Sequence, residues 1–278
     1  MHHGVILFQT DRAIPPADAA RAAEERGFES IFFIEHTHIP VSRKSPFPAG
    51  GDLPEQYWRT NDLLVSMGIA AAVTRDIKVG SGVCLVVEHD PIVLAKQVAT
   101  VDFQSGGRVL FGIGAGWNRE EMENHGTDFR TRWKLTRERI AAMKAIWSTD
   151  EAEYHGELVH FDKIWQYPKP VQKPNPPILL GGWGPKSYQR VVDFCDGWIP
   201  LTWLGHDLIA EMKTLRQVAE TSGRDPRSIS VTVFGAEDDR ARLDAYEKAG
   251  VERVLFFLGP ATRDEALPLL DRFAKHLQ

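Results

Sequence analysis

Short apolar runs alternate with amphipathic, alanine- and charge-rich segments along the whole chain, and each change of period predicts one element. Residues 5–8 predict a first strand, and Pro15-Pro16 open a helix that Gly27 stops. Proline just inside a helix start and glycine just past its end is the expected asymmetry. Residues 30–34 predict a second strand, followed after a long loop by a helix over 61–73. Residues 77–87 predict a third strand, rich in glycine at Gly80 and Gly82. Asp90 and Pro91 then open a helix running to Gln104, with aspartate as its cap, before a fourth strand over 108–113.

After the fourth strand the rhythm breaks. A short acidic helix over 118–124 precedes a longer one over 130–147, whose Leu135, Ile140, Met143 and Trp147 recur at helical spacing as one stripe. Residues 154–161 alternate around His155-Gly156 like a short hairpin, and a proline-rich stretch runs from Pro168 to Pro177. Residues 118–176 therefore read as an insertion in a single domain that spans 1–278.

The rhythm then resumes. Strands are predicted over 178–180, 197–201, 228–234 and 253–258, each followed by a helix, the last opening on Thr262 and Glu265 as a capping box. Alternating strands and helices imply parallel pairing through right-handed crossovers. Eight such units close most economically into a (β/α)8 TIM barrel. An open doubly wound sheet would carry a glycine-rich fingerprint after its first strand, and residues 9–14 contain no glycine.

Charge changes the picture little. Thirty-three Lys and Arg against 38 Asp and Glu give a net charge of −5, without the basic patch that nucleic acid or an anionic membrane requires. No apolar stretch approaches the length of a membrane span, and the amino terminus carries no basic leader. Cys84 and Cys195 lie far apart in apolar surroundings and read as buried small hydrophobes. A soluble, cytoplasmic protein is expected.

In a barrel, chemistry belongs to the loops that follow the strands. Here those loops form an aromatic, glycine-rich mouth with few ionisable groups, which suits a flat organic ligand. Trp117, Trp183, Trp198 and Trp203 all fall at or near strand ends. The turn Gly181-Gly182-Trp183-Gly184, running into Pro185, reads either as a cradle for phosphate at a helix N-terminus or as a tight β–α turn. Glu35, His36 and His38 share an extended segment, but no further ligand at the ends of strands five, six or eight completes a zinc set, so no metal is expected. A Schiff-base aldolase would need a lysine facing the mouth. Lys78 lies at a strand entrance and Lys186 inside a helix. His36 is the first candidate for a polar group facing a bound ligand.

With these residues in place, the chain resembles the bacterial luciferase-like monooxygenases, and within them the coenzyme F420-dependent branch. The resemblance rests on residues 112–118 (GIGAGWN) and 168–182 (PKPVQKPNPPILLGG), with support from Ile34-Glu35-His36, from residues 79–83 (VGSGV) and from Ala249-Gly250-Val251. It covers nearly the whole chain and implies a barrel holding a flavin or deazaflavin ring in its mouth. By the same resemblance, Gly181, Gly182, Trp183 and Gly184 hold the cofactor phosphate, Asn118 lies close to the ring, and Glu35 with His36 lines the reacting face. A bulge with a non-proline cis peptide is implied at Gly82–Val83, against the cofactor. A homodimer is implied too.

Two departures narrow the reading. F420-dependent sugar-phosphate dehydrogenases carry a glutamate after strand four, where this chain has Trp117, which counts against a sugar-phosphate substrate. The aspartate common before the strand-two histidine is Glu35. The expected activity is hydride transfer between F420 and a small, fairly apolar organic substrate, with His36 as proton donor and Glu35 second. An FMN-dependent monooxygenase using reduced flavin and oxygen is the close alternative. A ligand-binding barrel without turnover and a metal-dependent lyase or hydrolase belong to other classes.

Overall fold

The computed structural model describes every residue except 203, 204 and 278, so Trp203 lies outside the described residues. β1 (His2–Leu7), β2 (Ser30–Phe33), β3 (Lys78–Ser81), β5 (Val109–Gly114), β8 (Ile178–Gly181), β9 (Gly197–Ile199), β10 (Ser230–Phe234) and β11 (Arg253–Gly259) pair in parallel, and β11 returns to β1. The closed ring of eight strands is a (β/α)8 barrel. Between them run α1 (Pro16–Glu25), α2 (Leu63–Val73), α3 (Pro91–Ser105), α5 (Arg132–Ser148), α6 (Pro185–Phe194), α7 (Leu208–Thr221), α8 (Arg240–Ala249) and α9 (Arg263–Phe273).

Strands buried on both faces need apolar residues at every position, which is why they stand out as continuous runs. Ile6, Phe8, Phe32, Ile34 and Leu255 point into the barrel, while Val5, Leu7, Ile31 and Phe33 pack outward against the helices. Helix boundaries follow local chemistry. The Asp90 carboxylate accepts from the N–H groups of Ile92 and Val93 at 3.0 Å, and α3 ends on Gly106 at φ 71°. At the other end of the barrel, buried Arg253 forms a two-pronged pair with Glu29 at 2.7 and 2.8 Å. Burial alone would lift the Glu29 carboxyl, but Arg253 and Lys78 outweigh it and hold it at about 2.

The third strand departs from the sequence expectation of one run over 77–87. It ends at Ser81, a cis peptide joins Gly82 to Val83, and the chain resumes as β4 (Cys84–Leu85) before a 3-10 turn over Val86–Glu88. The break coincides with a change of partner: β3 pairs with β2 and β5, whereas β4 pairs with β5 alone. The glycines of β5 make room for it. A side chain at Gly112 would collide with the Ser81 carbonyl oxygen, and one at Gly114 with Val83.

Within residues 118–176, α5 packs on α3 and α6 as the barrel helix of the fourth unit. Its Leu135, Ile140, Met143 and Trp147 form the buried stripe, with the Trp147 indole N–H donating to the Ala95 carbonyl at 3.0 Å. The added pieces are α4 (Arg119–Asn124) and the antiparallel hairpin of β6 (Glu151–His155) and β7 (His160–Trp165). No helix among the described residues is long and apolar enough to cross a membrane.

Candidate active site

A cavity of about 470 Å³ opens at the carboxyl ends of the strands. Phe8, Ile34, Val83, Ile199 and Phe234 line it from the barrel, and Phe47 and Tyr57 from the long loop after β2. Gly116, Trp117 and Trp133 close the side above β5. Glu35 and His36 are the ionisable carboxylate and imidazole in this wall. Burial also lifts the Tyr57 phenol to about 12, so it is neutral at ordinary pH.

His36 is buried, with its ring against Tyr57 and Trp117 at centroid distances of 5.1 and 5.8 Å. Its Nδ1 meets the Glu121 carboxylate at 2.8 and 3.1 Å, and Glu121 is fully buried. Among the described residues Nε2 has no hydrogen-bond partner, so the ring is anchored on one nitrogen and free on the other. A carboxylate that accepts from Nδ1–H fixes the tautomer and orientation of the ring. Glu121 escaped the sequence reading, which saw only an acidic helix. The available signal was its position three residues after the cap, where its N–H meets the Asn118 side-chain oxygen at 3.4 Å.

Glu35 is placed differently from His36. One of its oxygens accepts from the Leu85 N–H and the other meets His89 Nε2 at 2.9 Å. Burial alone would lower the His89 proton affinity, but Glu35 outweighs it and raises it. Glu35 thus ties the loop after β2 to the broken third strand, with both oxygens engaged. Glu35, Cys84 and His89 bring metal-ligating atoms within 4.8 Å of one another. In this cluster both oxygens of Glu35 are engaged in hydrogen bonds, and burial raises the Cys84 thiol well above its ordinary value.

Gly82, Val83, Gly181 and Gly182 line the cavity together. Gly182 has φ 123° and Gly184 φ 87°, conformations that an L side chain rarely adopts. A Cβ at Gly184 would meet nothing within 4 Å, so the turn is open on its outer side. The Ser187 and Tyr188 N–H groups close on the Gly184 carbonyl at 2.9 and 3.1 Å. Pro185 has no N–H, and that of Lys186 has no acceptor among the described residues, as expected of a helix N-terminus. The turn is pinned from beneath by the Trp198 indole N–H, which donates to the Gly182 carbonyl at 2.7 Å.

Two sequence expectations shift here. Trp198 is not at the mouth but in the barrel wall, edge-on to Trp183 and Tyr188 at 5.0 and 5.4 Å. Since Ile199 faces the cavity, strand alternation sends Trp198 outward. Asn118 is a buried cap outside the cavity wall, while Trp183 stacks on His206 at 4.4 Å. Asn118 Nδ2 and Trp183 Nε1 are buried donors without a partner among the described residues. Such donors are costly unless an acceptor arrives.

Glu88 lies behind this wall. Its carboxyl is buried, with the Thr37 hydroxyl at 3.3 Å and the His125 ring at 3.7 Å. Burial, then Glu121 and Glu35, lift it to about 9.

The sequence model of the luciferase-like monooxygenase family matches residues 13–265. An uncharacterised protein of Mycobacterium tuberculosis is 42% identical over 100% of this chain and 99% of its own length. The F420-dependent glucose-6-phosphate dehydrogenase of Kineococcus radiotolerans is 28% identical over 78% of this chain and 61% of its own length. The FMNH2-dependent dimethylsulfone monooxygenase of Pseudomonas putida is 31% identical over 59% of this chain and 42% of its own. Among solved structures, the monooxygenase RslO1 of Streptomyces bottropensis superimposes with a TM-score of 0.80 at 18% identity, covering 100% of this chain and 98% of that one. Sequence match along nearly the whole chain and the same closed barrel lead to one assignment: the chain belongs to the luciferase-like monooxygenase family.

Proposed function

We propose that this protein is an F420-dependent oxidoreductase that exchanges a hydride with a small, uncharged organic substrate. The observation that carries the reading is one apolar cavity bounded by the Gly181-Gly182 turn, by Val83 and by the anchored His36 ring. The F420-dependent relative matches 78% of the chain, the FMNH2-dependent one 59%.

The residues present fit such a cofactor. The open glycine turn and the N-terminus of α6 offer backbone donors and a positive dipole end for phosphate. When bound, F420 supplies the two-electron redox chemistry. His36 holds or delivers a proton at Nε2, while Glu121 keeps its ring oriented. Phe47, Tyr57 and Trp117 exclude water and disfavour a charged substrate, since no Lys or Arg is among the described residues that line the cavity.

Two copies pair through α2 and α3, whose Val65, Ile69, Val93 and Phe103 expose between 41% and 60% of their surface. Two buried free thiols fit a reducing, cytoplasmic setting. The FMN-dependent monooxygenase stays as the second reading, favoured by the 31% identity to the dimethylsulfone enzyme. The test is the cofactor retained after purification from a host that makes both flavins and F420. Retained F420 is expected, and retained FMN would move the protein to the monooxygenase reading. No cofactor in the preparation, with ligand affinity indifferent to Gly182→Asp, would indicate a binding barrel.

A further inference from the structure

The Thr37 hydroxyl stands between a buried acid and two imidazoles at the surface. Its Oγ1 lies 3.3 Å from Glu88 Oε2, 2.7 Å from His125 Nε2 and 2.9 Å from His38 Nδ1. One hydroxyl has one hydrogen to give and two lone pairs to receive. His38 Nε2 faces the Asn124 amide nitrogen at 2.8 Å and so accepts there, which puts the His38 hydrogen on Nδ1, toward Thr37. The remaining freedom is between Glu88 and His125. Either His125 donates to Thr37 and Thr37 donates to a Glu88 carboxylate, or a Glu88 carboxylic acid donates to Thr37 and Thr37 donates to a bare His125 nitrogen.

We propose that Glu88 is the proton store of this site, exchanging with solvent through Thr37 and His125, with its charge felt at His36 through Glu121. In the exchange, a His125 imidazolium releases its Nε2 proton to Thr37 Oγ1 as the Thr37 hydroxyl proton passes to Glu88 Oε2. His125 becomes neutral, Thr37 is unchanged and Glu88 becomes a neutral acid; discharge is the reverse. The part concerning His36 rests on its reading as the group that works in the cavity, and the store itself does not.

The surroundings favour the loaded state. The Glu88 side chain is 1% exposed, and its Oε1 has no partner among the described residues. Glu121 from α4 and Glu35 from the loop after β2 face it as like charges. On its own turn His89 is tied to Glu35, and Cys84 is a buried thiol. Arg139, the cation that α5 brings to this turn, donates to the Val86 carbonyl at 2.8 Å. Burial and His38 lower the proton affinity of His125 while that of Glu88 is lifted, so at neutral pH the proton rests on the acid.

Infrared spectroscopy of the ligand-free protein tests this. The wild-type chain should show a protonated carboxylic-acid carbonyl band at neutral pH that disappears above pH about 9. Glu88→Gln should lack it. Thr37→Val should keep the band but lose it several-fold more slowly after an upward pH jump. Ring signals of labelled His36 should show a step over the same pH range in wild type and none in Glu88→Gln. No band in wild type, a band that survives Glu88→Gln, an undelayed Thr37→Val, or a His36 ring blind to this titration would each overturn the proposal. None of these readings needs cofactor or turnover, so they stand apart from the F420 assignment.

Discussion

His36 Nδ1 lies 2.8 Å from a carboxylate oxygen of Glu121, with both side chains buried and the two residues 85 positions apart in the chain. That contact converts a loop histidine into an oriented group with one nitrogen left for the cavity.

Glu121→Gln should lower kcat by about 10-fold or more, because the ring loses the carboxylate that fixes its Nδ1–H tautomer and its orientation. His36→Ala should reduce kcat by about 100-fold or more if the ring moves a proton in turnover. Steady-state kinetics of each variant checks both. An unchanged kcat in Glu121→Gln would mean that the contact is structural only.

The glycine turn gives a test that separates shape from charge. Both Gly182→Ala and Gly182→Asp force a side chain onto φ 123°, with Ser187 Oγ 3.1 Å from the new Cβ. Only the second brings a carboxylate toward the proposed phosphate. Cofactor affinity should fall modestly in Gly182→Ala and be lost in Gly182→Asp, read by calorimetry. Equal losses would remove the phosphate from this turn.

Glu88 also leaves a signature in stability. The unfolded chain loses this proton near the ordinary carboxylate value of 4.5, whereas the folded chain keeps it to about 9. Between those limits the folded state binds more protons, so stability falls as pH rises, by at most about 1.4 kcal/mol per pH unit from this group. Glu88→Gln should flatten that slope in urea unfolding between pH 5 and pH 9. Parallel slopes for the two proteins would contradict the burial of a neutral acid.

If two copies pair through α2 and α3 as proposed, Val65→Glu or Phe103→Glu should convert dimer to monomer in light scattering without loss of far-ultraviolet circular dichroism. A wild-type monomer, or a dimer unaffected by both changes, would remove this face from the interface.

The barrel was legible because strands buried on both sides leave uninterrupted apolar runs and because Pro and Gly mark the helix ends. The third strand was not, since its break depends on contacts from elsewhere: the Glu35 carboxylate on Leu85, and β5 glycines that admit the Ser81 carbonyl. The Gly181 to Gly184 turn could be found because its conformation demands glycine locally. Glu121 could not be matched to His36, because nothing in a helix cap specifies which loop the third residue will meet. Trp198 was misplaced for a simpler reason. Its neighbour Ile199 faces the cavity, and a strict period of two would have turned the indole outward.

Fluorescence titration of the purified, cofactor-free protein with F420 and with FMN tests the central claim most directly. Saturable binding of F420, with FMN much weaker, is the predicted result. Tight binding of FMN with no binding of F420 would contradict it.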